Sequence, residues 1–174
     1  MEGKSTLENW MDEEAAMRQR VAPAGVADRE QLRGNAGLDF LQKIGDGELP
    51  PPPIAELMGF VPIEVEHGRI IFQGTPGPQH YNPSGAVHGG YAATLLDSAV
   101  GCAVHSTLPA GMGFTTLELK VNYVRAMTDK TGPVRAEGKV ITAGKQVAVA
   151  EGRITDANGK LYAHATTTCL IFPI

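Results

Sequence analysis

Residues 82–101 read NPSGAVHGGYAATLLDSAVG, and this stretch decides the fold. Apolar residues recur at Ala92, Ala93, Leu95, Leu96, Ala99, Val100, Ala103 and Val104, so the pattern predicts a helix over 89–107. Little of its circumference is polar, and a helix apolar nearly all round is a buried one. Asp97 stands inside this run, about two turns past the start, too deep to cap the helix or to draw on its dipole. Aspartate is also a poor interior helix former. It is either an acid that reaches solvent or a structural partner, or a carboxylate held at a cleft wall to activate water or attack an electrophile.

His88-Gly89-Gly90 stands at the mouth of the predicted helix. Two residues without side chains leave backbone N–H groups open at the positive helix end, a site for developing negative charge. The plainer reading is a tight turn or close helix–sheet packing. Gly89 and Asp97 are eight residues apart, roughly 12 Å along one helix. A reacting carbonyl needs its oxyanion donor and its attacking group within roughly 3 Å. One straight helix hardly supplies both, whereas helices from two subunits can. A catalytic pair therefore predicts at least a homodimer with active sites at the interface.

The stretches around this helix are mostly β. FVPIEVEHGRIIFQGTP (60–76) predicts two strands about a His67-Gly68 turn. Further strands are predicted in 114–126, 132–144, 145–157 and 160–172. Val134, Ala136, Gly138 and Val140 alternate with Arg135, Glu137 and Lys139, which marks a half-buried strand. Gly144-Lys145 and Asn158-Gly159 sit where two-residue hairpins need positive φ, making these connections antiparallel. The layers then predict an α+β fold, one long helix wrapped by a curved antiparallel sheet, with small residues such as Ala148, Ala150 and Gly152 allowing close approach.

The N-terminal third is different. STLENWMDEEAAMRQRVA (5–22) predicts a helix capped by Ser5 or Thr6, with Trp10, Met11, Ala15 and Met17 as apolar contacts. LDFLQKI (38–44) predicts a second, stopped by Gly45. Residues 1–49 form a helical appendage that packs on the main domain, on a neighbouring subunit or loosely. Residues 50–56 are a proline-rich connector, for which the four prolines favour extended backbone, and 57–174 are the main domain.

Composition bounds the rest. The chain of 174 residues is 43% hydrophobic and 20% charged, as in one soluble globular unit. Its net charge of −4 arises in residues 1–50, with ten acids against six bases. No basic field suits nucleic acid, and no apolar run suits a membrane span. The first residues lack a signal-peptide pattern, which makes the cytoplasm the expected location. Cys102 and Cys169 lie in apolar surroundings, as buried thiols rather than a disulfide. The five histidines show no metal-ligand spacing. His105, near the helix end, suits the dipole as an imidazolium.

With NPSGAVHGGYAATLLDSAVG, TTLELKVNYVRA and DANGKLYAHATTTCLIF, the sequence resembles the hot-dog-fold acyl-CoA thioesterases, in the PaaI-like (phenylacetate-degradation) branch. The resemblance covers about residues 57–172, and it implies a hot-dog domain over 57–174, in homodimers that pair into homotetramers. It matches Asp97 to the family's general base or nucleophile and Gly89 to the backbone N–H that polarises the thioester carbonyl. Asn82 and His88 match polar residues near the thioester and the helix mouth, and Thr115 a hydroxyl residue that positions the attacking water. Two features depart from the pattern: Ala126-Met127 follows NYVR where relatives have Pro-Ala, and Gly101 offers no hydroxyl to the acid. The implied reaction is hydrolysis of an acyl-CoA thioester with no metal and no cofactor beyond the coenzyme A of the substrate. Gly90, Arg125, Lys130 and Lys145 are candidates for holding that substrate. Two alternatives stand beside it: an enoyl-CoA hydratase-like protein, for which His88 and Asp97 are poorly spaced, and a non-catalytic acyl-CoA-binding module.

Overall fold

The computed structural model describes residues 3–174. Six strands, β1 (Phe60–Glu66), β2 (Arg69–Gly74), β3 (Met112–Tyr123), β4 (Val134–Ala143), β5 (Val147–Asp156) and β6 (Leu161–Pro173), form one antiparallel sheet. Its order is β1-β2-β4-β5-β6-β3, so β3 is a free edge. Helices α1 (Thr6–Arg20), α2 (Arg29–Gly34), α3 (Gly37–Gly45) and α4 (Pro53–Met58) precede the sheet. The long helix α5 (Gly89–His105) lies across it, as the sequence predicts. This is the hot-dog arrangement. No helix among the described residues is long and apolar enough to cross a membrane.

Two glycines set how closely α5 sits on the sheet. Gly138 and Gly152 face each other across β4 and β5. A Cβ on Gly138 would stand 2.3 Å from the Ala99 carbonyl oxygen, and one on Gly152 would stand 2.8 Å from Val100 Cγ1. With the backbone this close, Leu95, Leu96, Ala99, Val100, Ala103 and Val104 are wholly buried. The helix is not buried all round, however. Gly90, Ala93, Thr94 and Asp97 are partly or fully exposed, forming an open side of small and polar residues.

Two turns differ from the sequence reading. At Asn158-Gly159 only the glycine takes positive φ, at 77°. Neither Gly144 nor Lys145 does, because that hairpin closes through Gly144 N–H donating to the Val147 carbonyl around Lys145 and Gln146. Both cysteines are free.

The N-terminal helices are part of this body. Phe40, Leu41 and Ile44 of α3, Leu49, and Ala55 of α4 join the same buried cluster as Phe72 and Leu95. Gly37 N–H donates to the Leu108 carbonyl at 2.9 Å, and only glycine fits there against the His105 backbone. Ser5 caps α1 in a capping box with Glu8. Met17 is buried as expected, whereas Met11 and Ala15 are exposed. α1 covers the outer face of the sheet, where Gln73 donates to the Trp10 carbonyl at 2.9 Å and to Glu14 at 2.7 Å. Arg135 donates to Gln73, pairs with Glu13 and lies 4.2 Å from the centre of the Trp10 ring. An outward-facing strand position is thereby buried. Extended backbone in the connector ends at Pro52, because Pro53 starts α4, a position where a missing N–H costs nothing.

Gly138→Ala forces the Ala99 carbonyl away and is expected to cost about 3 kcal/mol through overpacking. Gly34→Ala, where a Cβ meets open space, is expected to change stability by less than about 1 kcal/mol. Urea denaturation of the two variants checks the difference.

Candidate active site

The mouth of α5 is built by hydrogen bonds that the sequence motif hides. Asn82 Oδ1 accepts from the Ser84 and Ala86 N–H groups at 2.9 and 3.3 Å, folding the loop back on itself. Gly85 takes positive φ at 78° to complete the turn. Val87 N–H then donates to the Met127 carbonyl and His88 N–H to the His80 carbonyl. His88 is the N-cap residue, and its Nδ1 accepts from Gly90 N–H at 2.8 Å. The two glycines are therefore not equivalent. Gly90 N–H is spent on the cap. Gly89 N–H, the first of the helix, has no acceptor among the described residues.

Gly89 faces an open cleft of about 320 Å³ lined by Asn82, His88, Tyr123, Arg125 and Tyr162. A Cβ on Gly89 would stand 3.1 Å from the Tyr123 ring, so a bare backbone lets the tyrosine close this wall. Arg125 donates one N–H to the Leu161 carbonyl at 2.7 Å and is exposed otherwise. Lys130 and Lys145 do not join this cleft. Lys130 lies in a short 3-10 turn beside Ser5 and Asp156, and Lys145 is at the exposed tip of the β4–β5 hairpin.

The acid stands on the open side of α5, exposed to solvent. Thr116 Oγ1 donates to Asp97 Oδ1 at 3.0 Å, and Oδ2 has no partner among the described residues. The hydroxyl partner is thus Thr116 and not Thr115. Thr116 pairs with Cys169, which pairs with Ala148, and these two are wholly buried beneath α5. Thr115 pairs with Leu170, which pairs with Val147, and all three are exposed on the opposite face.

The cause is a β-bulge. The register of β3 shifts between Thr116 and Glu118, with Leu117 as the extra residue. Counting by twos from Leu119 and Val121 would turn Thr115 inward, but the bulge reverses the phase. Counting forward from Phe114 gives Thr116. Thr167 Oγ1 donates to the Glu118 carbonyl at 2.7 Å beside the bulge.

Two further groups line the same helix. Burial pushes the Cys102 thiol up to about 12, with the Asp97 charge adding to it, so it stays protonated near neutral pH. Burial lowers the pKa of His105, whose ring lies between Phe40 and Phe114 at centroid distances of 5.5 and 5.6 Å. Desolvation overrides the helix dipole there, so the imidazolium expected at the helix end is disfavoured. Within the chain neither the N-cap His88, whose Nδ1 accepts from Gly90 N–H, nor His105 bonds to Asp97, whose partner is Thr116. Gly89 and Asp97 remain about two turns apart on one helix, as their spacing requires.

Known proteins share this fold. The profile of the Thioesterase superfamily matches residues 84–163. A Saccharolobus solfataricus protein named as an esterase is 35% identical over 103 residues, which cover 59% of this chain and 71% of that protein. The 1,4-dihydroxy-2-naphthoyl-CoA hydrolase of Listeria monocytogenes is 25% identical over 118 residues, 68% of this chain and 94% of its own. The crystal structure of a Ralstonia eutropha protein, described as a phenylacetic acid degradation-related thioesterase, superposes with a TM-score of 0.68 at 29% identity. It covers 78% of this chain and 99% of its own.

Removing the cap by His88→Ala is expected to cost about 1 kcal/mol, and His88→Asn, a good N-cap residue, to keep most of that stability. Thermal and urea unfolding of the two variants measure it.

Proposed function

The chain belongs to the thioesterase superfamily, in its PaaI-like branch, and on that premise we propose that it hydrolyses acyl-CoA thioesters to the free acid and coenzyme A. The observation that carries the reading is the exposed Asp97 carboxylate, fixed at Oδ1 by Thr116 and free at Oδ2, on the helix that presents an unpartnered Gly89 N–H at its mouth. The name of the Listeria relative supports an acyl-CoA substrate, and that of the Ralstonia protein supports a thioester bond.

The thioester carbonyl oxygen accepts from Gly89 N–H, where the positive end of α5 favours the oxyanion. Asp97 of the partner subunit takes a proton from water, and the water oxygen attacks the carbonyl carbon. The tetrahedral intermediate collapses, breaking the C–S bond and expelling the thiolate of coenzyme A. Thr116 is a positioning residue that keeps one carboxylate oxygen aimed at the water. Direct attack by Asp97 would give a mixed anhydride on the same geometry. Arg125, at the rim of the mouth cleft, is placed to meet a phosphate of the coenzyme.

The dimer follows from reach. The exposed side of α5 lies beside the free edge β3, where Leu117 and Tyr123 are 58% and 57% exposed. A second copy docked there buries these side chains and brings its acid to the first copy's mouth.

Asp97→Asn is expected to lower kcat about a thousandfold with little change in KM. Thr116→Val is expected to lower it at least tenfold, and Thr115→Val less than twofold. Steady-state release of coenzyme A from an acyl-CoA panel checks all three. Mixing Asp97→Asn with Gly89→Pro subunits, the latter lacking the amide donor at a first helical position that tolerates proline, is expected to restore about a quarter of wild-type activity, since random exchange leaves one intact site in half of the dimers. Complementation that stays at background would place both groups in one subunit's site.

A further inference from the structure

A second cavity, of about 280 Å³, lies along the flank of α5 that carries Ser98, the residue after the acid. Its α5 wall is the stripe Ser98, Cys102 and His105, one residue and about 100° round the helix from Asp97. The facing wall comes from the N-terminal segment, including Ala27, Leu32 of α2, Phe40 of α3 and Ala55 of α4, with Phe72 of β2 behind. No Asp, Glu, Lys or Arg lines it. Cys102 carries a protonated thiol, and burial favours neutral His105. The cavity is therefore an uncharged space beside an ionisable one.

We propose that this cavity receives the acyl group of the substrate, and that the N-terminal helices set the largest group it accepts. The proposal rests on the thioesterase reading of Asp97 and names its substrate class. Continuity with the acid argues for this occupant. Ser98 follows Asp97 directly and lines the cavity, so the acid and the apolar wall are adjacent on one helix turn. A carbonyl carbon attacked from Asp97 carries its alkyl or aryl substituent within reach of Ser98 and the cavity that Ser98 lines. At the roughly 30 Å³ that a water molecule occupies in the liquid, the space holds about eight to ten non-hydrogen atoms. Octanoyl and phenylacetyl groups fit that volume, acetyl leaves most of it empty, and palmitoyl overfills it.

Each buried methylene contributes up to about a fourfold gain in affinity when it is fully buried, and less where the cavity is open to solvent. The preference therefore climbs with acyl length and then stops at the N-terminal wall. Ala27 lies in the irregular segment between α1 and α2, half-buried against the core cluster. A larger side chain there fills the cavity from its wall without altering a regular element.

The test compares wild type, Ala27→Phe and the milder Ala27→Leu in two measurements. The first is kcat/KM for acetyl-, butyryl-, octanoyl-, phenylacetyl- and palmitoyl-CoA. The second is calorimetric binding of the thioethers S-methyl-CoA and S-octyl-CoA, which cannot be hydrolysed. In wild type, octanoyl-CoA is expected to exceed acetyl-CoA about a hundredfold in kcat/KM, with palmitoyl-CoA falling below octanoyl-CoA. Ala27→Phe is expected to lower the octanoyl value at least tenfold while acetyl stays within threefold, with Ala27→Leu between. S-octyl-CoA is expected to bind about a hundredfold tighter than S-methyl-CoA, and Ala27→Phe to erase most of that gap. Equal binding of the two thioethers by wild type overturns the acyl pocket, as does a loss in Ala27→Phe that is the same for every chain length. If no thioester is hydrolysed but the thioether gap is present and sensitive to Ala27→Phe, the pocket stands and the hydrolytic reading of Asp97 falls.

Discussion

The seating of α5 on the sheet is the contact from which the rest of the geometry follows. A main-chain carbonyl, Ala99, rests against a strand position that cannot hold a side chain, Gly138. Helix backbone on strand backbone fixes both the depth and the rotation of α5. Rotation matters most here. It buries the aliphatic face completely and leaves Asp97 on the open side, opposite Thr116. It also sends the next residue, Ser98, into the apolar cavity. The polar and apolar environments that flank the acid are thus consequences of one packing choice about half a turn further along the helix.

Much of this was legible in the chain. The helix over Gly89–His105 follows from its apolar pattern, the strands from their alternation, and the α1 cap from Ser5 and Glu8. Hidden features were those that depend on a partner distant in sequence. Nothing in the run from Phe114 to Tyr123 announces that Leu117 drops out of register, since the bulge is defined by β6 opposite. The neighbouring Thr115 was therefore the residue matched to the water-positioning hydroxyl. Likewise, two adjacent glycines look interchangeable until His88 claims one of their amides. Pro53 reads as part of an extended run, yet the residues after it can bury Ala55 by turning into a helix.

Electrostatics divides the molecule in the same way. Charged groups cluster on the outer face and around α1, and the space between α5 and the N-terminal helices holds none. Asp97 is exposed to solvent, while burial drives Cys102 and His105 on the same helix toward their uncharged forms. Acid and apolar wall stand side by side because α5 carries them on adjacent stripes.

The clamp between α1 and the sheet constrains how this chain could diverge. Gln73 and Arg135 are buried polar residues on the outer face, and α1 supplies their partners through Trp10, Glu13 and Glu14. Without α1, both side chains would open to water on the outer face, and hydration would replace Glu13, Glu14 and the Trp10 carbonyl as their partners. The constraint therefore falls on chains that keep the helix. An apolar replacement at position 73 or 135 is sheltered only while α1 is present, and it would leave Glu14 or Glu13 facing the sheet without its partner. Changes at those two sheet positions are thus coupled to changes in the helix that covers them.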